Sequence, residues 1–142
     1  MTNFFKKIFG PFARISLFII FFWFGALKLF GLSPATPLVQ ELFAKTIPFM
    51  PFSTFIILFG LFEMLIGILF LIRGLEKVAI TLLFIHMATT FMPLFMVPSE
   101  TWTGFLAPSM EGQYIIKNLV IIATAIGIIA NLRPRQMKSE PY

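Results

Sequence analysis

Four ionisable side chains lie inside long apolar stretches of this chain: Lys28, Glu63, His86 and Lys117. An ionisable group near the middle of a bilayer costs a few kcal/mol on insertion scales, so each is a candidate for ion pairing, ligand binding or proton transfer. A lysine ammonium can hydrogen-bond a carbonyl, and a carboxylate or imidazole can pass on a proton. Trp23, Thr90 and Asn118 are polar residues expected beside them.

Each candidate also has a structural reading. Lys28 falls about four residues below one end of its apolar run, roughly 6 Å deep at helical rise, and Lys117 sits at a similar depth. A lysine there can snorkel to the interface. Glu63 is about ten residues in, roughly 15 Å deep, beyond easy reach of water. Gly60 and Gly67 share its helix face, at i−3 and i+4, and small residues let a second helix approach closely. Glu63 is therefore expected to face the bundle interior, paired with Lys28 or Lys117, or protonated. His86 lies at nearly the same depth, with Thr89, Thr90 and Pro93 continuing a narrow polar stripe. Pro93 removes the usual hydrogen bond to the Thr89 carbonyl. No other histidine is present, which disfavours axial haem ligation. Met64, Met87 and Met92 serve more naturally as packing. No metal site is expected. Trp23, Lys28, Glu63, His86, Thr90, Lys117 and Asn118 are expected to line one pocket opening toward the outer face.

The elements that position these residues follow from the apolar runs. A helix needs about 20 mostly apolar residues to cross a bilayer core. Four stretches qualify, at about 15–32, 51–72, 77–97 and 113–132. They are long and lack period-two alternation, which favours helices over a barrel. The expected fold is all-α, one domain over residues 1–142, a transmembrane four-helix bundle. Ser33-Pro34 and Pro37 are expected to stop the first helix. Thr36 reads as an N-cap with Pro37 at the first helical position of a short interfacial helix. Trp102 and Phe105 read as interfacial anchors. Lys6, Lys7, Arg14, Arg73, Lys77, Arg133, Arg135 and Lys138 collect on one side, against Lys45 in the loops of the other. The positive-inside rule then places both termini in the cytoplasm.

Composition closes off other classes. Hydrophobic residues make up 58% and charged residues 12%, half the charged share of a typical soluble domain. The net charge of +5 does not imply nucleic acid, because the basic residues mark segment ends and form no patch. Absence of cysteine excludes disulfide and thiol-redox chemistry. No cleaved signal peptide is expected: the first run is long enough to remain as a span, and no small-x-small site follows it.

Several of these segments resemble one family. Phe22-Trp23-Phe24-Gly25-Ala26-Leu27-Lys28 is similar to the aromatic-x-Gly-x-x-Lys signature of DoxX-like membrane proteins. Glu63-Met64-Leu65-Ile66-Gly67 resembles that family's Glu-x-x-x-Gly helix. Thr89–Leu94, Pro98–Trp102 and Glu111–Asn118 are most similar to its reactive-chlorine-resistance branch. The resemblance implies a bacterial inner-membrane protein of four helices. It also implies a link to thiosulfate:quinone oxidoreduction or oxidative-stress complexes, with a quinone as the candidate ligand. A membrane or redox partner, membrane lipid and a homo-oligomer are the partners to expect. The alternatives are a structural or chaperone-like subunit without ligand chemistry, and, with less support, a small transporter.

Overall fold

The computed structural model describes residues 1–132 of the chain. The expected helix stop at Arg133-Pro134-Arg135, and the charges of Arg133, Arg135 and Lys138, lie outside the described residues. In chain order the elements are α1 (Thr2–Leu29), α2 (Thr36–Thr46), α3 (Phe52–Leu71), α4 (Glu76–Phe91), α5 (Pro93–Met96), α6 (Pro98–Thr101), β1 (Trp102–Gly104), β2 (Ala107–Pro108), α7 (Met110–Lys117) and α8 (Leu119–Leu132). Four stretches are long and apolar enough to cross a membrane: Thr2–Leu29, Phe52–Leu71, Glu76–Met96 and Met110–Leu132. The 20 residues of α3 rise about 30 Å, the thickness of a hydrocarbon core.

The apolar character of α3 runs all the way round. Ile57, Leu58, Leu61, Leu65 and Ile68 are exposed, while Ile66 and Phe70 are fully buried. Such a helix suits a solvent of lipid on one side and protein on the other. The core gathers Leu17 and Phe21 of α1, Ile66 and Phe70 of α3, Ala79, Leu83 and Met87 of α4, and Ala125 and Ile128 of α8.

The tightest seam joins α1 to α3 at glycines. A Cβ on Gly25 would lie 2.5 Å from the Gly60 carbonyl oxygen, and one on Gly60 would lie 2.7 Å from the Gly25 carbonyl oxygen. A Cβ on Gly67 would meet the backbone of Phe22 at 3.0 Å. The two helix backbones therefore touch, gaining dispersion contact where lipid offers no hydrophobic drive.

Several boundaries differ from those expected. The first helix begins at Thr2 rather than near Ile15 and carries Pro11 within it. Its stop precedes the prolines. Gly31 takes φ +69°, the Gly31 amide donates to Lys28 O at 3.3 Å, and the Leu32 amide donates to Leu27 O at 2.9 Å. This is a Schellman ending, in which a left-handed glycine satisfies the last carbonyls. The N-cap of α2 is Ala35, with Thr36 and Pro37 inside the helix. Thr36 Oγ1 is a buried oxygen without a hydrogen-bond partner, so it does not cap. The third span is interrupted between α4 and α5, where Pro93 cannot supply its amide. The fourth starts at Met110, capped by Ser109, whose Oγ accepts from the Gly112 amide at 3.1 Å. Between them, β1 and β2 form an antiparallel hairpin pairing Trp102 with Pro108, an element the sequence reading lacked. Trp102 Nε1 donates to Leu94 O at 2.9 Å, which ties this hairpin to α5, while Phe105 is exposed.

Candidate functional site

On α1, Phe21, Gly25 and Lys28 fall at i, i+4 and i+7 and are all buried. On α3, Gly60, Glu63, Gly67 and Phe70 make the matching stripe. The glycine contacts bring these stripes together, and Lys28 Nζ donates to Glu63 Oε2 at 2.6 Å. The third span contributes His86 from α4, whose Nε2 lies 2.7 Å from Glu63 Oε1. One carboxylate is thus shared between a lysine of α1 and a histidine of α4, each no more than 6% exposed.

The carboxylate fixes one side of the imidazole. A carboxylate oxygen paired with an ammonium on its other side only accepts, so Nε2–H donates to it. Thr90 Oγ1 stands 3.2 Å from Nδ1 and 3.0 Å from the His86 carbonyl oxygen. That carbonyl already receives the Thr89 hydroxyl at 2.7 Å. A carbonyl oxygen has two lone pairs, so the Thr90 hydroxyl donates there as well, with its oxygen beside Nδ1. The result is a continuous chain, Lys28–Glu63–His86–Thr90, in which one carboxylate meets an ammonium and an imidazole. The Thr89 and Thr90 hydroxyls turn to the His86 carbonyl, not to the Thr89 carbonyl freed by Pro93.

Aromatic rings enclose this chain. Phe59 stacks on His86 with centroids 5.2 Å apart and planes 10° apart. Phe21 meets the same imidazole edge-on at 5.4 Å, and Phe62 lies at 6.2 Å. Lys28 Nζ also stands 5.5 Å from the Phe59 centroid, a cation–π contact. The stack continues outward through Phe55, 5.6 Å from Phe59, to Phe43 of α2, 4.8 Å from Phe55. Lys45, two residues on, donates to Met96 O at 2.9 Å and fixes α2 against the end of α5. A dry, aromatic surrounding raises the strength of each electrostatic contact inside it.

Of the seven residues expected at one site, the structure brings together Lys28, Glu63, His86 and Thr90. It does not bring in the other three. Trp23 is 62% exposed on the outside of α1. Lys117 is exposed, with its ammonium 5.2 Å from the ring of Tyr114. Asn118 follows α7 as its C-cap and makes no hydrogen bond to the cluster. Glu63 thus pairs with Lys28 and not with Lys117. The assembled residues form a closed cluster rather than an open pocket. The two most prominent cavities lie elsewhere, one of about 260 Å³ between α2 and the Glu100 and Glu111 region, the other at the opposite end of the bundle.

The sequence reading missed the aromatic enclosure, although Phe59 precedes Glu63 by four residues and so shares its face. It also missed a second ionic cluster. Arg14 Nη2 donates to Glu76 Oε1 at 2.5 Å, and Arg14 Nη1 donates to Phe70 O at 3.2 Å. Glu76 Oε2 accepts the Gly74 amide at 2.8 Å. Arg14 thus satisfies a terminal carbonyl of α3 while holding the carboxylate that closes the α3–α4 turn. The signal was a lone acidic residue directly after Arg73-Gly74-Leu75. Among the described residues, no group of three or more His, Cys, Asp or Glu side chains could hold a metal ion. Comparison with protein-family models, curated proteins and solved structures gave no match.

Proposed function

We propose that this chain is a DoxX-like accessory subunit of a bacterial inner membrane, with both termini cytoplasmic and α2 lying on the outer membrane surface. The Lys28–Glu63–His86 cluster is its functional centre. The ligand is a quinone-like apolar molecule bearing a carbonyl, and the setting is redox or oxidative-stress metabolism beside a partner membrane protein. The observation that carries this reading is a buried carboxylate shared by lysine and histidine. Lys28 donates one hydrogen bond to Glu63, whereas an ammonium has three donors. The remaining donors offer a carbonyl a charge-assisted hydrogen bond, and Glu63, His86 and Thr90 form a path for its proton. The resemblance of the Gly25–Lys28 and Glu63–Gly67 segments to the family signature supports the same assignment.

The test is ubiquinone or menaquinone retention by the purified chain, together with stabilisation by added quinone. Wild type should retain quinone and unfold at higher temperature when it is added. Glu63→Gln and Lys28→Met should abolish both effects. If both variants keep wild-type retention and shift, the site assignment fails.

A structural reading has one specific observation in its favour: neither prominent cavity is lined by a residue of the cluster. In that reading the cluster fixes the register of α1, α3 and α4. Substitution would then lower stability while leaving quinone retention, measured on the folded fraction, at the level of wild type.

A further inference from the structure

The larger cavity, about 690 Å³, lies at the basic end of the bundle, where the start of α1 runs beside the end of α8. We propose that this groove is a binding site for an anionic phospholipid, with an acyl chain along its apolar wall and the phosphate at Lys6 and Lys7.

The wall is built by Phe5, Ile8, Phe9 and Phe12, spaced i, i+3, i+4 and i+7 on one face of α1. Phe5, Ile8 and Phe12 are 60%, 42% and 68% exposed, so no described element covers that face. Phe9 forms the floor. Its ring lies against Gly127 of α8, where a Cβ would stand 2.7 Å from the ring tip. Asn131, one turn further along α8, donates Nδ2 to Gly127 O at 3.1 Å. That bond leaves Oδ1 as an acceptor at the rim, suited to a hydroxyl of a lipid headgroup.

Charge selects the ligand class. Lys6 lines the groove and Lys7 follows it, both exposed and neither in an ion pair among the described residues. An apolar wall alone would accept any acyl chain. Basic side chains beside it favour a lipid whose headgroup carries net negative charge. The groove lies on a helix long and apolar enough to cross a bilayer, which makes lipid the occupant to expect over a soluble peptide. This site is independent of the Lys28–Glu63–His86 cluster.

The experiment uses the full chain in detergent, titrated with dioleoyl-phosphatidylglycerol or dioleoyl-phosphatidylcholine, with bound lipid counted by native mass spectrometry. Wild type should retain the glycerol lipid in preference to the choline lipid. A Lys6→Gln/Lys7→Gln chain should lose roughly tenfold or more of that preference, since each surface lysine contributes about a fivefold factor. Both positions are exposed, so the variant should melt like wild type. Equal retention of the two lipids by wild type overturns the proposal, as does a double variant that keeps the preference.

Discussion

Lys28 lies one residue from the end of α1 and Lys117 seven residues after the start of the fourth span, and only Lys28 turns inward. The first reason is rotation about the helix axis, since Lys28 shares the buried face of Phe21 and Gly25 while Lys117 is exposed, and helix direction adds to it. Every Cα–Cβ bond in an α-helix tilts toward the helix N-terminus. Lys28 is at the C-terminal end of α1, so its side chain leans back into the bundle and reaches Glu63. Lys117 is in the first part of the fourth span, so its side chain leans toward the near end and lies over Tyr114. Removing one partner of a buried ion pair strands the other and costs about 3–5 kcal/mol. Lys28→Met should therefore destabilise by about that amount in denaturant unfolding, whereas Lys117→Met should stay within about 0.5 kcal/mol of wild type. Lys28→Leu/Glu63→Leu, which removes both charges, should be more stable than Glu63→Leu alone, because no unpaired ammonium remains. A double variant less stable than that single would show that Lys28 is not held by Glu63.

At the scale of elements, the α1–α3 seam depends on missing side chains. Gly60→Ala would set a methyl against the Gly25 carbonyl, and such overpacking costs about 1–3 kcal/mol. Gly10 is also helical, but nothing lies within 4 Å of its Cβ position. Gly10→Ala should therefore raise stability by roughly 0.5–1 kcal/mol through a lower backbone entropy cost. Thermal unfolding of the pair should give shifts of opposite sign. A loss of stability on Gly10→Ala would show that some element closes over that face. Arg14 and Glu76 act at the same scale, tying the α3–α4 turn to α1.

For the whole molecule, α1 is held at two levels, by Arg14 to Glu76 near one end of α3 and by Lys28 to Glu63 nearer the other. These ties set the stagger of α1 against the α3–α4 hairpin, and α8 completes the core through Ala125 and Ile128. The chain has no cysteine, so single-cysteine variants can report sidedness. With the proposed orientation, Ser99→Cys should react with an impermeant maleimide added outside intact cells. Thr2→Cys and Lys77→Cys should react only after the membrane is opened. Outside labelling of Lys77→Cys would reverse the orientation.

Much of this was legible in the residues. The four apolar runs, the inward face of Glu63 with its flanking glycines, and the presence of Lys28, Glu63, His86 and Thr90 among seven candidates follow from hydropathy and the 3.6-residue period. Those signals are local, and insertion costs enforce them segment by segment. The Gly31 ending of α1 was readable too, because a left-handed C-cap favours glycine, but the prolines beyond it gave the louder signal. Hydropathy reports depth and not rotation. Whether Glu63 would meet Lys28 or Lys117, whether Trp23 would face lipid, and whether Arg14 would find Glu76 depended on how the helices turn about their axes. The sequence by itself determined that charges would be buried in a membrane bundle. Only the tertiary structure decided which of them meet, since that is fixed by backbone approach at Gly25, Gly60 and Gly67 between segments far apart in the chain.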